Sequence, residues 1–85
     1  MAYELHQLAS PEDWDAMHRI RLEVLFTPER RPGLVYNHSH PHDTNPNHVK
    51  FLLLLDGLPI GTTRLDPREE GGIVRLVGIR REWQR

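Results

Sequence analysis

The chain contains no cysteine among its 85 residues. That absence excludes disulfide bonds, thiolate metal ligands and a cysteine nucleophile. Long apolar runs are also missing, because the longest uncharged one covers only residues 51–55, whereas a membrane-spanning helix needs about 20 residues. No signal-like segment opens the sequence. We therefore expect a cytoplasmic protein with no membrane partner.

The chain also has little net charge. Eleven Lys and Arg residues are balanced by twelve Asp and Glu residues, which gives a formal charge of −1. A nearly neutral protein has no general attraction to nucleic acid or anionic lipid, and no stripe of interleaved basic and aromatic residues is present. We expect no nucleic-acid partner. A length of 85 residues corresponds to one domain or part of one.

Residues 1–26 are predicted to form a strand followed by a helix. Apolar and polar side chains alternate over residues 3–8. Ser10-Pro11-Glu12-Asp13 is typical of a helix start, with a capping hydroxyl, a proline where no donor is needed, and two acids near the positive end of the helix dipole. Apolar residues then recur at helical spacing as far as Phe26, and Thr27-Pro28 ends the helix.

Three arginines lie among apolar neighbours. Arg21 falls on the apolar stripe of the helix, so its side chain either extends from the core to solvent or pairs with a carboxylate such as Asp66. Arg64 and Arg75 alternate with apolar residues along predicted strands. We expect them on a solvated or helix-facing side of the sheet, with anion binding as the alternative.

Residues 27–48 are predicted to form a variable loop, with one short turn of helix at most. They hold four prolines and four of the six histidines, and loops of this length are usually functional or disordered. In an extended segment His38, His40 and His42 would lie on one side and could converge on a metal. The other interpretations are a polar surface loop, or a general base supplied by His40 or His42, whose ordinary pKa suits proton removal near neutrality.

Residues 49–85 are predicted to form a three-stranded meander. The strands are VKFLLLL, LPIGTTRLD and GGIVRLVGI. Asp56-Gly57 predicts a tight hairpin between the first two, and a looser turn is expected between Asp66 and Gly72. The fold class is therefore α+β, in the order β-α-β-β-β, with a mostly antiparallel sheet and one packed helix.

The last strand, from Ile73 to Ile79, is apolar and lies at the edge of this predicted sheet. An unpaired apolar edge is a site for another strand to pair with. We expect a homodimer that forms by pairing this edge with its twofold copy, or by exchange of strands between protomers.

The segment FLLLLDGLPIGTTRLD, followed by VRLVGIRREWQR, resembles the N-terminal half of a GCN5-related N-acetyltransferase (GNAT) domain. The likeness lies in the element order and in the pattern DG-x-x-x-G-T-x-R-L. In that family the fourth strand runs into a pyrophosphate-binding loop of the form Q/R-x-x-G-x-G/A. Gln84 and Arg85 match its first two positions, and the glycines lie beyond the sequence, so the resemblance implies a partial GNAT fold.

The resemblance implies transfer of an acetyl group from acetyl-CoA to an amine, with a general base and an oxyanion donor. It places backbone groups of Val77, Gly78 and Ile79 against the pantetheine arm of the coenzyme. It also places the loop residues Tyr36, His40 and His42 beside the acceptor pocket. It assigns neither a catalytic residue nor a metal ligand.

Because the coenzyme loop is incomplete at Arg85, we expect a truncated domain that is inactive alone. Two alternatives remain open. One is a non-catalytic module that associates with itself. The other is a metal-binding protein that uses the loop from His38 to His48.

Overall fold

The computed structural model describes residues 2–84, apart from the side chain of Arg68. Its strands form one antiparallel sheet in the order β1-β2-β3-β4, and the main helix packs on one face. The α+β class is thus confirmed. The elements in chain order are β1 (Tyr3–Gln7), α1 (Pro11–Val24), α2 (Pro41–Thr44), β2 (Val49–Leu55), β3 (Leu58–Arg68), β4 (Gly71–Ile79) and a 3-10 helix (Arg81–Trp83). Within residues 2–84, no helix has the length and apolar character needed to cross a bilayer.

Helix α1 begins with the predicted cap. The Ser10 hydroxyl accepts from the Asp13 amide at 3.2 Å, and the Asp13 carboxylate accepts from the Ser10 amide at 3.2 Å, which satisfies two donors reciprocally. The helix ends at Val24, two residues before the predicted end. The Phe26 amide donates to the Arg21 carbonyl, five residues back, so the last turn is already too wide to continue the helix.

The core lies between α1 and the sheet. Met17, Ile20, Val24 and Leu52 are buried together, and each contributes roughly 1.5–3 kcal/mol through removal of its side chain from water. Gly78 lets the helix approach β4, because a Cβ there would lie 2.9 Å from Cγ2 of Val24. The apolar stripe predicted from the spacing is therefore the surface that covers the sheet.

The first hairpin has the predicted tight turn. Asp56 and Gly57 both have positive φ, 49° and 85°, which is the conformation of the two-residue turn that matches the twist of paired strands. The prediction of a looser turn from Asp66 to Gly72 is wrong. Those two residues pair within β3 and β4, and the connection is only residues 69–70, because ion pairs described below hold Asp66 within the sheet.

Strand β4 contains a bulge. Thr62 pairs with Gly78, and Arg64 pairs with Arg75, so Leu76 and Val77 together oppose a single residue of β3. Leu76 has φ of 52°, a left-handed conformation that costs a non-glycine residue about 1–2 kcal/mol. A bulge bends its strand and interrupts the ladder, and bulges are frequent next to active sites.

The sheet face opposite α1 is partly apolar and open. Leu5 pairs with Leu53 on this face, and Leu65 pairs with Val74. The exposed fractions of Leu5 and Val74 are 59% and 61%. Since α1 covers the other face, these side chains remain in contact with water in the part of the chain that the structure describes.

Candidate functional site

A chain of buried ion pairs connects α1, α2 and β3. Arg21 Nη1 lies 2.7 Å from Asp43 Oδ2, and Arg64 Nη1 lies 3.5 Å from Asp43 Oδ1. Arg64 also donates to Asp66 through Nε at 2.7 Å and Nη2 at 3.1 Å. All four side chains are buried. We call Arg21, Asp43, Arg64 and Asp66 the ion-pair chain.

Both carboxylates of the ion-pair chain are ionised at neutral pH. Burial by itself would raise the pKa of Asp43, but the hydrogen bond from Arg21 and the charges of Arg21 and Arg64 outweigh it and lower that pKa. Burial likewise opposes ionisation of Asp66, and the hydrogen bonds from Arg64 and His48 lower its pKa to about 2. The ion-pair chain therefore holds two positive and two negative charges.

These contacts decide between the interpretations of Arg21 and Arg64. Arg21 does not reach solvent, since its side chain is 1% exposed, and its carboxylate partner is Asp43 rather than Asp66. Arg64 is on the helix-facing side of the sheet and is buried. The sequence could not identify Asp43 as the partner, because an irregular loop separates it from Arg21, and strand β2 with its hairpin turn separates it from Arg64.

Lys50 fixes the end of the same loop. Its Nζ donates to the backbone carbonyl of Asp43 at 2.6 Å and lies 5.1 Å from the centre of the Trp14 ring. Burial lowers the pKa of Lys50, and the nearby Asp43 partly offsets that effect. Both the side chain and the main chain of Asp43 are thus used to hold the loop against the sheet.

A cleft of about 350 Å³ lies between the end of α1, the loop and the bulge of β4. Tyr36, His40 and His42, the three residues assigned to the substrate-side loop, all line it. Leu76 lines it from the bulge, and Arg21 lines it from the helix. The volume is at the low end of the roughly 300–1,000 Å³ typical of small-molecule sites.

Arg21 has unfilled hydrogen-bonding capacity. Nη1 donates to the Asp43 carboxylate and lies 3.5 Å from the Tyr36 hydroxyl. Nε and Nη2 are buried and have no hydrogen-bond partner among residues 2–84. A buried donor left unpaired costs about 1–3 kcal/mol. An acceptor supplied from outside the described residues would remove that cost.

Tyr36 connects the cleft to a histidine on α1. The Tyr36 hydroxyl lies 2.6 Å from Nδ1 of His18 and can accept from Arg21 while its own hydrogen is donated to the imidazole. Burial lowers the pKa of His18, and the charges of His38 and Arg21 lower it further, so the ring is neutral at pH 7 and is a weaker base than a free imidazole. Burial raises the pKa of Tyr36.

The sequence interpretation did not include His18. It lies four residues after Trp14 and three before Arg21, so all three share one side of α1. That spacing was the available signal. It has little specificity by itself, because a histidine on a half-buried helix face is common without any chemical role.

The histidines do not arrange themselves as an extended segment would place them. Residues 41–44 form a helical turn, so the alternation assumed for His38, His40 and His42 is wrong. His38 packs on His18 and Tyr36 instead, with ring centres 4.9 Å and 4.8 Å away. His40 Nδ1 accepts from the His42 amide.

A different trio comes together. His42 stacks on His48 with ring centres 4.7 Å apart, and Nδ1 of His48 lies 2.8 Å from Oδ1 of Asp66. One donor atom from each of these residues lies within 4.8 Å of the others, a spacing that a small adjustment would suit to a divalent cation. The Asp66 carboxylate, however, already contacts Arg64 and, at 3.4 Å, Arg75.

The residues assigned to the coenzyme lie at the end of β4. Val77 is exposed within the bulge, Gly78 is buried beneath α1, and Ile79 pairs with Gly61. Gln84 donates from Nε2 to the Ile79 carbonyl at 2.6 Å, so the 3-10 turn closes this end of the strand. Arg85 lies outside the described residues.

Comparison of the chain with known protein families, with curated proteins and with solved structures finds no match. The GNAT resemblance therefore rests on this chain's own residues and motifs. The features that carry functional information are the cleft, the ion-pair chain and the bulge.

Proposed function

We propose that this chain forms the acceptor side of an N-acyltransferase site of the GNAT type, at which an acetyl group passes from acetyl-CoA to an amine. The observation that carries the proposal is the position of the bulge. Leu76 and Val77 leave the regular ladder directly beside the cleft, and β4 is an edge strand. Backbone groups of β4 are therefore available next to a pocket for a second substrate.

The chemistry requires a thioester carbonyl close to an amine. In the proposed arrangement the pantetheine arm runs along the outer edge of β4, and a backbone amide near Val77 stabilises the developing negative charge on the carbonyl oxygen. The amine nitrogen attacks the carbonyl carbon, a C–N bond forms, and the C–S bond breaks. The thiolate that leaves takes up a proton from solvent.

We assign removal of the amine proton to Tyr36, assisted by His18. Tyr36 lines the cleft, and in this proposal its hydroxyl oxygen accepts that proton while its own hydrogen passes to His18 Nδ1 over 2.6 Å. In this relay the tyrosine never has to exist as a free phenolate. His40 and His42 line the same cleft and are the alternative acceptors.

The test is a titration with S-acetylpantetheine, in which binding is detected through changes in the amide NMR resonances of the folded chain. This probe contains the part of the coenzyme that the proposal places on β4 and omits the nucleotide. We expect the largest shifts at Leu76, Val77 and Gly78, with little change at Glu4 and Leu5 on the opposite edge. Absence of a saturable shift in β4, or equal shifts at both edges, would contradict the proposal.

A matched probe isolates the carbonyl contact. S-ethylpantetheine has a methylene group in place of the carbonyl and is otherwise of similar shape. If a backbone amide near Val77 donates to the carbonyl oxygen, the thioester should shift that amide downfield and the thioether should not. The same shift with both compounds would remove the oxyanion role from the bulge.

Metal binding is a second candidate, favoured by the proximity of His42, His48 and Asp66. It ranks below acyl transfer because a cation would compete with Arg64 and Arg75 for the same carboxylate. Zinc at one equivalent should raise the melting temperature of the native chain and have no effect on His48→Ala. His38→Ala is the matched control and should still respond. An equal response of both variants to zinc would exclude this site.

A further inference from the structure

We propose that the cleft binds a small monoanion with an apolar body, so that the acceptor amine also carries a carboxylate. The identification of the ligand as the acceptor rests on the proposed function. The binding of the anion does not, because it follows from the charged residues that line the cleft and from the unfilled donors of Arg21.

Arg21 supplies the first observation. Its side chain is 1% exposed and lines the cleft, yet Nε and Nη2 have no partner among the described residues. Two nitrogen atoms of a buried guanidinium rarely lack a hydrogen-bond partner in native proteins. The planar fork of arginine matches the two oxygens of a carboxylate, and a ligand of that kind would complete it.

The balance of charge supplies the second observation. Arg21 and Arg64 line the cleft together with one carboxylate, that of Asp43, whereas Asp66 is not among its lining residues. Arg31 also lines the cleft; its guanidinium lies 5.2 Å from the centre of the Phe26 ring, and none of the salt bridges described above involves it. The charged residues that line the cleft therefore carry an excess of positive charge, which the carboxylate of a bound ligand reduces.

The remaining walls define the rest of the ligand. Phe26, Leu34, Val35 and Leu76 line the same cleft, and Val35 is 87% exposed in the free protein. An aliphatic or aromatic body would cover these side chains and gain from their removal from water. A volume of about 350 Å³ accommodates a molecule of amino-acid size rather than a long peptide.

The binding test uses ligands that differ only in charge. 3-Phenylpropionate and 3-phenylpropionamide are titrated calorimetrically against the chain, and the same comparison is made with 4-methylpentanoate and its amide. We expect each carboxylate to bind at least tenfold more tightly than its amide. Equal affinities within both pairs would overturn the inference.

Variants locate the anion. Arg31→Gln should weaken the carboxylates about tenfold and leave the amides unchanged. Arg30→Gln, one residue away, removes the same charge from a side chain that does not line the cleft, and it should change neither. Equal weakening by both variants would mean that only the general field matters, and it would contradict a defined site.

Arg21→Lys tests the fork directly. Lysine keeps the charge beside Asp43 but cannot present two parallel donors, so carboxylate affinity should fall while the melting curve shows that the protein remains folded. If this variant unfolds, Arg31→Gln still decides the question. Unchanged carboxylate affinity in folded Arg21→Lys would exclude Arg21 as the recognition group.

The two proposals fail in distinguishable ways. If the carboxylates bind and S-acetylpantetheine leaves the β4 amides unchanged, the anion site stands and the acyltransferase proposal falls. If S-acetylpantetheine binds and neither carboxylate is preferred over its amide, the acceptor is not anionic. L-Phenylalanine and L-phenylalaninamide also differ by one carboxylate charge. The rates at which the two accept an acetyl group from acetyl-CoA then show whether that charge matters during transfer.

Discussion

Removal of the Asp43 carboxylate should be the most damaging single change at the site. In Asp43→Ala the Arg21 guanidinium, which is almost completely buried, loses the carboxylate that, among residues 2–84, lies within hydrogen-bonding distance of it. Breaking a buried ion pair by removing one partner costs about 3–5 kcal/mol. Because Arg21 has so little contact with water, screening by solvent does not reduce this figure.

That loss is large for a domain of 85 residues. A change of 1 kcal/mol shifts the melting temperature of a domain of this size by roughly 4–8 °C, so Asp43→Ala should melt at least about 12 °C below the native chain. Urea denaturation followed by circular dichroism gives the free energy directly. Asp15→Ala, an exposed carboxylate on α1, is the control and should change stability by less than about 0.5 kcal/mol.

A double variant separates the effect of the two charges on stability from the effect of the volume that the two side chains fill. Arg21→Met with Asp43→Leu replaces both charges by apolar groups, and such replacements of buried pairs are often neutral or stabilising. The double variant should therefore be more stable than Asp43→Ala. A cost below about 1 kcal/mol for Asp43→Ala would show that the carboxylate is not what compensates Arg21, and the description of the ion-pair chain would be refuted.

Three further predictions concern pH, the bulge and association. The pKa of Asp66 falls from its ordinary 3.8 to about 2 in the folded chain, so its contribution to stability is complete above about pH 4 and should be lost as the pH falls towards 2. Acid unfolding of Asp66→Asn should lack this part of the transition. An acid profile identical to that of the native chain would count against the prediction. Leu76→Gly should be less destabilising in urea than Leu65→Gly by about 1–2 kcal/mol, because glycine adopts a φ of 52° without the penalty that leucine incurs; equal losses would refute strain at the bulge. As the alternative to a coenzyme at the β4 edge, we propose that this edge pairs with a second copy; sedimentation should then show a dimer at micromolar concentration that Val74→Lys dissociates and Leu22→Lys, on α1, does not, and a native chain that sediments as a monomer would reject this interface.

The parts of the fold that the sequence predicted are those that depend on near neighbours. The helix cap at Ser10 and the turn at Asp56 and Gly57 are decided by residues at most three positions apart. The strands followed from apolar runs between turn residues. Local chemistry is sufficient there because the donor and the acceptor of the cap lie three positions apart and the two turn residues are adjacent.

The site was predicted only in part, because its decisive contacts are long-range. Tyr36, His40 and His42 were assigned to one pocket, and they do share the cleft, although the assignment to an acceptor remains a prediction. The partners Arg21 and Asp43 are 22 positions apart, and no local pattern relates them. The second turn was misplaced for the same reason: Asp66 looks like a turn residue until His48, 18 positions before it, and Arg75 are brought beside it.

Two anchors hold the loop: Tyr36 on His18, and Asp43 on Arg21 and Lys50. Residues 29–35 lie before the first anchor, and their side chains are exposed. Insertions in such exposed stretches add little entropic cost. Ligand preference can therefore be changed by replacing residues 31–35 with longer or differently charged segments. The helix and sheet beneath would keep their packing.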